Sequence, residues 1–519
     1  MDGHASAPAP VRSEEPAGQD RNRQNRSHRS AFAAGRQRSA DHRVRWRPAG
    51  PFCGLAPGQG PLCSESHSCC GPFRGEGETL SERRLFGTDG IRGVAGEPPL
   101  DARTVAAFGM ALGEWALHHG SRNVLIGMDT RESGPALAAQ VAAGLRKAGV
   151  EPLLAGIVTT PAVSFLTRTG PFSAGVMISA SHNPYHDNGL KVFAHDGLKL
   201  PDAEELRIET RIFQLLNEGA ETAPDSSIPG DDGLASAYLE FLASAAPHGL
   251  AGLSVVLDCA NGAAFQLAPA LFRWLGARVV ETACRPDGRN INDGCGALHV
   301  EPLRQRVLAE NADFGAAFDG DADRCILVSR SGRVLNGDHI LLLAGRHLRP
   351  RAVVATVMSN LGLERALASD GIGLIRTAVG DRYVLEEMLR QDLPLGGEQS
   401  GHVIFLDFST AGDGMLTALR AASIARARGA TLDELVEDFI VYPQRLVNVR
   451  FREKKPLDQL PAVQNEIRET EHEFGPAGRV LVRFSGTEPL ARVMVEGPDA
   501  ERVEFRARRI AAAIEASLS

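Results

Sequence analysis

From Asn123 onward, short apolar runs alternate with longer stretches in which apolar residues return every three to four positions. The run NVLIGMD at Asn123 is predicted as a strand, and Pro135 to Ala148 as a helix with one apolar face. Strands follow at Gly175 and Leu190, then a helix over Asp202–Asn217. The polar stretch GAETAPDSSIPGDDG, Gly219 to Gly233, breaks this rhythm and is predicted as a linker. The pattern restarts with LSVVLD at Leu253, a helix through Trp274 closed by Gly276, and DFGAAFD at Asp313. It restarts again with AVVATV at Ala352, a helix, GLIRTA, a second helix and HVIFL at His402. Alternation of strand and helix at this spacing predicts layered α/β units, here three similar ones without a repeat at the level of letters. After Tyr442-Pro443 the order changes to strand, helix, strand, strand, helix, a smaller α+β unit. The expected organisation is an extension over 1–79, then domains over 80–220, 234–330, 331–443 and 444–519.

The extension differs from the rest in composition. Residues 1–79 hold 11 Arg, no Lys and 8 acidic residues, with much Ser, Gly and Pro and no sustained apolar period, so they lack the material for a core. Nine of those arginines lie between Arg21 and Arg47 against the single acid Asp41. That segment has four readings: a transit peptide, a nucleic-acid arm, a disordered extension, or a start assigned too far upstream. Deleting it is expected to leave turnover unchanged. Without it the balance is 45 basic against 56 acidic residues, or −11, and for the whole chain −8, which argues against general nucleic-acid binding. With 43% hydrophobic and 23% charged residues and no apolar run near the roughly 20 a membrane span needs, no membrane segment is expected. The eight cysteines show no paired zinc spacing and are expected as reduced thiols in a cytoplasmic protein.

Candidate chemistry sits where strands end. GVMISASHNPYHDNGLKVF, Gly175 to Phe193, drives an apolar strand into Ser181, His182 and a proline-stopped turn, with Lys191 beyond it. AFDGDADRC, Ala317 to Cys325, places Asp319, Asp321 and Asp323 on alternate positions, an oxygen-only set suited to Mg²⁺ or Ca²⁺. An EF-hand is excluded, because its sixth and twelfth positions would be Arg324 and Arg330 instead of Gly and Glu. GGEQSGH, Gly396 to His402, offers a carboxylate, an amide, a hydroxyl and an imidazole suited to vicinal sugar hydroxyls. RFSGTEPLARVMVEG, Arg483 to Gly497, joins two arginines to Ser485, Gly486 and Thr487, a combination that fits a phosphate but lacks the nucleotide P-loop signature. Together these loops fit a Ser181 that carries a transferable phosphoryl group beside a divalent cation.

LFGTDGIRG at Leu85, ISASHNP at Ile178, DGDADR at Asp319, VGDRYV at Val379, GEQSGH at Gly397 and SGTEPLARVMVE at Ser485 resemble, in order and spacing, the α-D-phosphohexomutase family, over Leu80 to Ser519. The resemblance implies three α/β domains with mixed sheets and a smaller C-terminal α+β domain around a central cleft. It implies that Ser181 is a phosphoserine and that Mg²⁺ is held by its phosphate with Asp319, Asp321 and Asp323. Phosphoryl transfer would then pass through a bound glucosamine or glucose 1,6-bisphosphate, which also primes the enzyme. By matching, Arg92 and Arg324 flank the transferring phosphate, and Lys191 and His182 are proton-transfer groups. Glu398, Ser400 and His402 would read the sugar, and Arg483, Ser485, Gly486, Thr487 and Arg492 would clamp the remote phosphate. For His182 and His402 a structural hydrogen-bonding role stands beside proton transfer, and Thr88, Asp89 and Asp381 are open to a packing or supporting role.

The amino-sugar branch of the family is the nearest, which implies interconversion of D-glucosamine 6-phosphate and D-glucosamine 1-phosphate towards UDP-N-acetylglucosamine. The rivals are mutases of glucose or mannose phosphate and a non-catalytic sugar-phosphate binding protein. Phe484 departs from the proline usual before this clamp. The expected partner is a small hexosamine phosphate, with no nucleic acid and no membrane, acting on a monomer or homodimer.

Overall fold

The computed structural model describes residues 84–518 apart from 88, 226, 454 and 485–489. Four sheets follow one another along the chain. The first holds β1 (Phe86–Gly87), β2 (Gly90–Val94), β3 (Asn123–Met128), β4 (Glu151–Ile157), β5 (Ala174–Ile178) and β6 (Asp187–Ala194). The second holds β7 (Ser254–Asp258), β8 (Arg278–Thr282), β9 (Phe314–Phe318), β10 (Cys325–Ser329) and β11 (Val334–Leu335), and the third holds β12 (Ala352–Thr356), β13 (Gly373–Thr377), β14 (Leu395–Gly397) and β15 (Val403–Phe405). The last is an antiparallel sheet of β16 (Gln444–Arg450), β17 (Arg479–Phe484) and β18 (Leu490–Glu496) in the order β16-β18-β17.

The repeat that the letters hide is present in the topology. In the first sheet β3 pairs in parallel with β4 and β5, and β5 pairs antiparallel with β6. The second sheet repeats this with β7, β8, β9 and β10, and the third with β12, β13, β14 and β15. All three sheets are therefore mixed, and each ends its last parallel strand in a loop that returns antiparallel. Those three loops carry Ser181, the three aspartates, and Glu398 to His402. The loop is the natural place for chemistry in such a unit, because it lies outside the carboxyl end of a parallel strand.

β5, β9 and β12 are buried along their whole length, as a parallel strand covered on both faces requires. One apolar cluster runs from Val163 and Phe193 in the first unit through Leu257 and Phe318 in the second to Leu342 and Val403 in the third. The C-terminal unit has its own cluster around Val463, Val493, Val503 and Ile510. The first three units thus share a core and the fourth does not. The polar stretch after Gly219 is tied back to the first unit, to its sheet through Leu154 N–H to Pro229 O, 2.8 Å, and to the helix Gly134–Lys147 through Arg146 to Asp225. Among the described residues no helix is long and apolar enough to cross a membrane.

Candidate active site

Ser181 follows β5 after two residues and is buried, 1% exposed. Its Oγ donates to Asp319 Oδ2 at 2.6 Å and lies 3.3 Å from His182 Nδ1. Burial of a hydroxyl against a carboxylate from a second domain follows from the shared topology, since the β5–β6 and β9–β10 loops meet. Arg324, at the end of the aspartate loop, points Nη1 at His182 Nδ1 from 3.0 Å. An imidazole nitrogen that accepts from a guanidinium stays neutral, and burial together with Arg324 and Arg92 pulls the His182 pKa down to about 4.

Asp319, Asp321 and Asp323 are all buried, and one carboxylate oxygen from each lies within 4.8 Å of the other two. Burial, and then the negative neighbours Asp323 and Asp321, push the Asp319 carboxyl well above the usual range. Asp321 Oδ1 and Asp323 Oδ1 are buried acceptors without a hydrogen-bond partner. Buried acceptors left this way are costly, and a hard divalent cation satisfies them with its own charge, so the donor set fits Mg²⁺. The other oxygen of Asp321 is occupied: Thr160 Oγ1 donates to Oδ2 at 2.6 Å and Lys191 Nζ at 2.8 Å.

Lys191, on β6, is 1% exposed. Burial lowers its pKa, but Asp321, Asp89 and Asp323 more than offset this and hold the ammonium charged. Asp89 Oδ2 is 3.0 Å from Lys191 Nζ and accepts from Arg92 Nη2 at 2.6 Å. Lys199 then links the first unit to the third, donating to Asp89 Oδ1 and Asp381 Oδ2 at 2.6 Å each. A continuous chain of alternating charge therefore joins Asp321, Lys191, Asp89, Lys199 and Asp381. Sequence reasoning missed Lys199 and Thr160 and left Asp89 and Asp381 without a definite role. Their signal was weak, because a single lysine or threonine outside a strand-end loop reads as ordinary surface.

The loop from Glu398 to His402 closes on itself through Glu398 N–H to His402 O, 2.8 Å, and Gly401 N–H to Glu398 O, 3.1 Å. Glu398 Oε1 accepts from Gly380 N–H at 3.0 Å, and Ser400 Oγ donates to Oε2 at 3.4 Å. His402 is buried, its Nε2 accepts from Gly412 N–H at 3.1 Å, and it also lines the cavity at this loop. A cavity of about 480 Å³ is lined by Asp89, Arg92, His182, Lys191, Arg324 and Glu398, so groups from the first three units converge on it. In the C-terminal unit Arg483 and Arg492 stand directly opposite each other on β17 and β18. Burial and then Arg492 lower the Arg483 pKa, and an anion between the two would relieve that repulsion. Ser485, Gly486 and Thr487, like Thr88, lie outside the described residues. Phe484 meets Phe451 edge-on, ring centroids 5.1 Å apart.

The chain matches all four domain signatures of phosphoglucomutase/phosphomannomutase: the α/β/α domains I, II and III over residues 83–218, 236–332 and 336–442, and the C-terminal domain over 446–513. The chain belongs to this family of phosphohexomutases. Among its relatives is the phosphoglucosamine mutase of Solibacter usitatus, 60% identical over 435 residues that span 82% of this chain and 97% of that protein. A crystal structure of a phosphoglucomutase/phosphomannomutase family protein from Burkholderia thailandensis is 25% identical with a TM-score of 0.69, covering 83% of this chain and 97% of the other. The Aspergillus fumigatus N-acetylphosphoglucosamine mutase, in complex with GlcNAc-6P and magnesium, shares the fold at 19% identity and a TM-score of 0.56, covering 85% of this chain and 97% of the other.

Proposed function

We propose that the chain interconverts D-glucosamine 6-phosphate and D-glucosamine 1-phosphate, with Ser181 as the phosphoryl carrier. The observation that carries the reading is Ser181 Oγ at 2.6 Å from Asp319, inside the buried aspartate triplet. In the resting enzyme Ser181 holds a phosphoryl group. The free hydroxyl of the hexosamine monophosphate attacks phosphorus, the new O–P bond forms as the Ser181 Oγ–P bond breaks, and a 1,6-bisphosphate results. The hydroxyl proton passes to the neutral His182 ring, and the charged Lys191 and Arg324 face the charge that spreads over the transferring oxygens. The bisphosphate turns over within the cleft and returns its other phosphate to Ser181.

Asp319, Asp321 and Asp323, with the Ser181 phosphate, would hold Mg²⁺, which when bound neutralises charge on the phosphoryl group. Arg92 supports the reaction end. Glu398 and Ser400 hydrogen-bond the sugar hydroxyls, and His402 fixes their loop. Arg483, Ser485, Gly486, Thr487 and Arg492 grip whichever phosphate is not reacting. The four units 80–220, 234–330, 331–443 and 444–519 divide these tasks among themselves. Every group comes from one chain, so a monomer and a homodimer serve equally. The enzyme works in the cytoplasm, is primed by a trace of glucosamine or glucose 1,6-bisphosphate, and supplies the precursor of UDP-N-acetylglucosamine.

After loading with glucose 1,6-bisphosphate, a species heavier than the bare chain by one phosphoryl group is expected in the intact mass of the parent and not in that of Ser181→Ala. A coupled assay on glucosamine, glucose and mannose phosphates is expected to favour glucosamine. Glucosamine as the poorest of the three would overturn the substrate, and full activity in Ser181→Ala would overturn the mechanism.

A further inference from the structure

Ser181 sits at φ 53°, in the left-handed region that non-glycine residues seldom occupy. Its backbone is fixed on both sides. The N–H donates to Ser179 Oγ at 2.9 Å, and Ser179 Oγ in turn donates to Asp129 Oδ2 at 2.7 Å. The carbonyl accepts from Arg131 Nη2 and from Asn292 Nδ2, each at 2.9 Å. The same two side chains also take Asn183 O, at 2.9 and 3.1 Å. Arg131 further donates to Asp187 O at 2.9 Å and to Pro184 O, so one guanidinium holds carbonyls across the whole turn.

Arg131 follows β3, the parallel neighbour of β5, and both it and its partner Asp129 have side chains with no exposed surface. Asn292 comes from the second unit, where its N–H donates to Ala260 O at 2.9 Å. A Cβ on Gly320, in the aspartate loop, would lie 2.4 Å from Ser181 O, so backbone of the second unit presses directly on the serine. Neither Arg131 nor Asn292 offers its donors to the Ser181 hydroxyl, and neither lines the cavity.

We propose that Arg131 and Asn292 are positioning residues that hold Ser181 in its left-handed conformation, with Asn292 making that conformation depend on the docking of the second unit. The inference rests on Ser181 being the phosphoryl carrier. A carrier must present its oxygen to the same point whether it bears a phosphoryl group or has just lost it. If the turn relaxed when the serine was empty, the returning phosphate would find its acceptor displaced. The two side chains keep the serine's backbone in place without contact to sugar or phosphate, so their loss acts on the transfer step and not on substrate affinity.

The test uses the full-length enzyme carrying Asn292→Ala, Asn292→Asp or Arg131→Lys, beside Ser181→Ala. Asn292→Ala is expected to lower kcat by about tenfold or more with KM within about twofold. Asn292→Asp, which turns an acceptor towards two carbonyls, is expected to lower kcat further. Arg131→Lys keeps the charge beside Asp129 but loses the fork, and is expected to slow phosphoserine loading from glucose 1,6-bisphosphate, followed by intact mass. Parent kcat in Asn292→Ala and Arg131→Lys, with Ser181→Ala inactive, overturns this inference and leaves the carrier reading intact. A fall in kcat accompanied by a matching rise in KM and a lower thermal midpoint assigns a merely structural role and also overturns it. Activity in Ser181→Ala instead removes the reading on which it stands.

Discussion

The two ends at which a hexose bisphosphate would be held are built in opposite ways. At the Ser181 end, Ser181, Lys191, His402 and the three aspartates are buried, and three units that share one apolar core supply the groups around them. At the Arg483 end, two like charges face each other across a small antiparallel sheet with a separate core. That unit is joined to the third through Glu496, beside the connecting residue Tyr442. Asn360 exchanges hydrogen bonds with Tyr442, 2.9 Å in each direction, while Glu496 accepts from Gln444 Nε2, 2.9 Å, Leu361 N–H, 3.2 Å, and Arg479 Nε, 2.8 Å. One end has its groups built into the shared core, and the other has them on a unit with a core of its own. A mutase needs both, because the reacting phosphate changes identity each cycle while the geometry of transfer does not.

The largest effect is expected at the fixed end. Asp321→Asn removes a charge from the triplet but keeps an acceptor for Lys191 and Thr160, so the fold should survive. Turnover is expected to fall on the order of 10³-fold, with a shift of its magnesium dependence to higher concentration. Activity against Mg²⁺ concentration checks this, and an unchanged curve would remove the aspartates from metal binding. At the remote end Arg483→Ala leaves Arg492 in place and deletes one charge-assisted grip. It is expected to lower kcat/KM by about 10²-fold, roughly 3 kcal/mol, chiefly through KM. An equal fall in kcat with KM unmoved would make the two ends alike and break the comparison.

The joint between them is expected to be more tolerant. Glu496 is fully buried and bonded to residues of both units, so Glu496→Gln leaves the Arg479 guanidinium without its countercharge. The expected result is a loss of roughly 3 kcal/mol in docking of the C-terminal unit, an earlier first step in thermal unfolding, and a fall in turnover of only about tenfold. Differential scanning calorimetry with a parallel assay separates these. A single unshifted transition would show that Glu496 does not hold the joint.

Much of the fixed end was legible in the sequence because a reactive residue at the end of an apolar strand breaks a strong pattern. Ser181 and the alternate aspartates stood out for that reason, and each proved to lie on the return loop of its unit. Arg131 obeys the same rule, three residues past the end of β3 in DTRES, yet one arginine there reads as a solvated turn. Asn292 and Lys199 gave no signal of that kind, since their roles come from contacts with another unit, which periodicity within one unit does not encode. The strand β4, EPLLAGI, was overlooked because its burial is partial and it begins on Glu151 and Pro152. The repeat was legible as rhythm but not as topology, because pairing order depends on which strands meet in space.

The smallest effect expected lies just behind the joint. Asp338 is buried at the start of the helix Gly337–Leu348, and its Oδ2 accepts from Asn360 N–H at 2.9 Å, which continues to Tyr442. Burial raises its carboxyl from 3.8 to about 6, which corresponds to about 3 kcal/mol of cost once the group is ionised. Because the folded value lies above the unfolded one, the folded state binds the proton more tightly. The contribution of Asp338 to stability is therefore complete below pH 3.8 and is lost as pH rises through about 6. Asp338→Asn keeps an oxygen for Asn360 N–H and removes the charge, so at pH 7.5 it is expected to be more stable than the parent by about 1–2 kcal/mol. At pH 4.5 that advantage should shrink to a fraction of its size, with turnover unchanged at both. Urea unfolding of the two proteins at the two pH values provides the measurement. A difference that does not depend on pH would mean that the charge at Asp338 is already compensated within the joint.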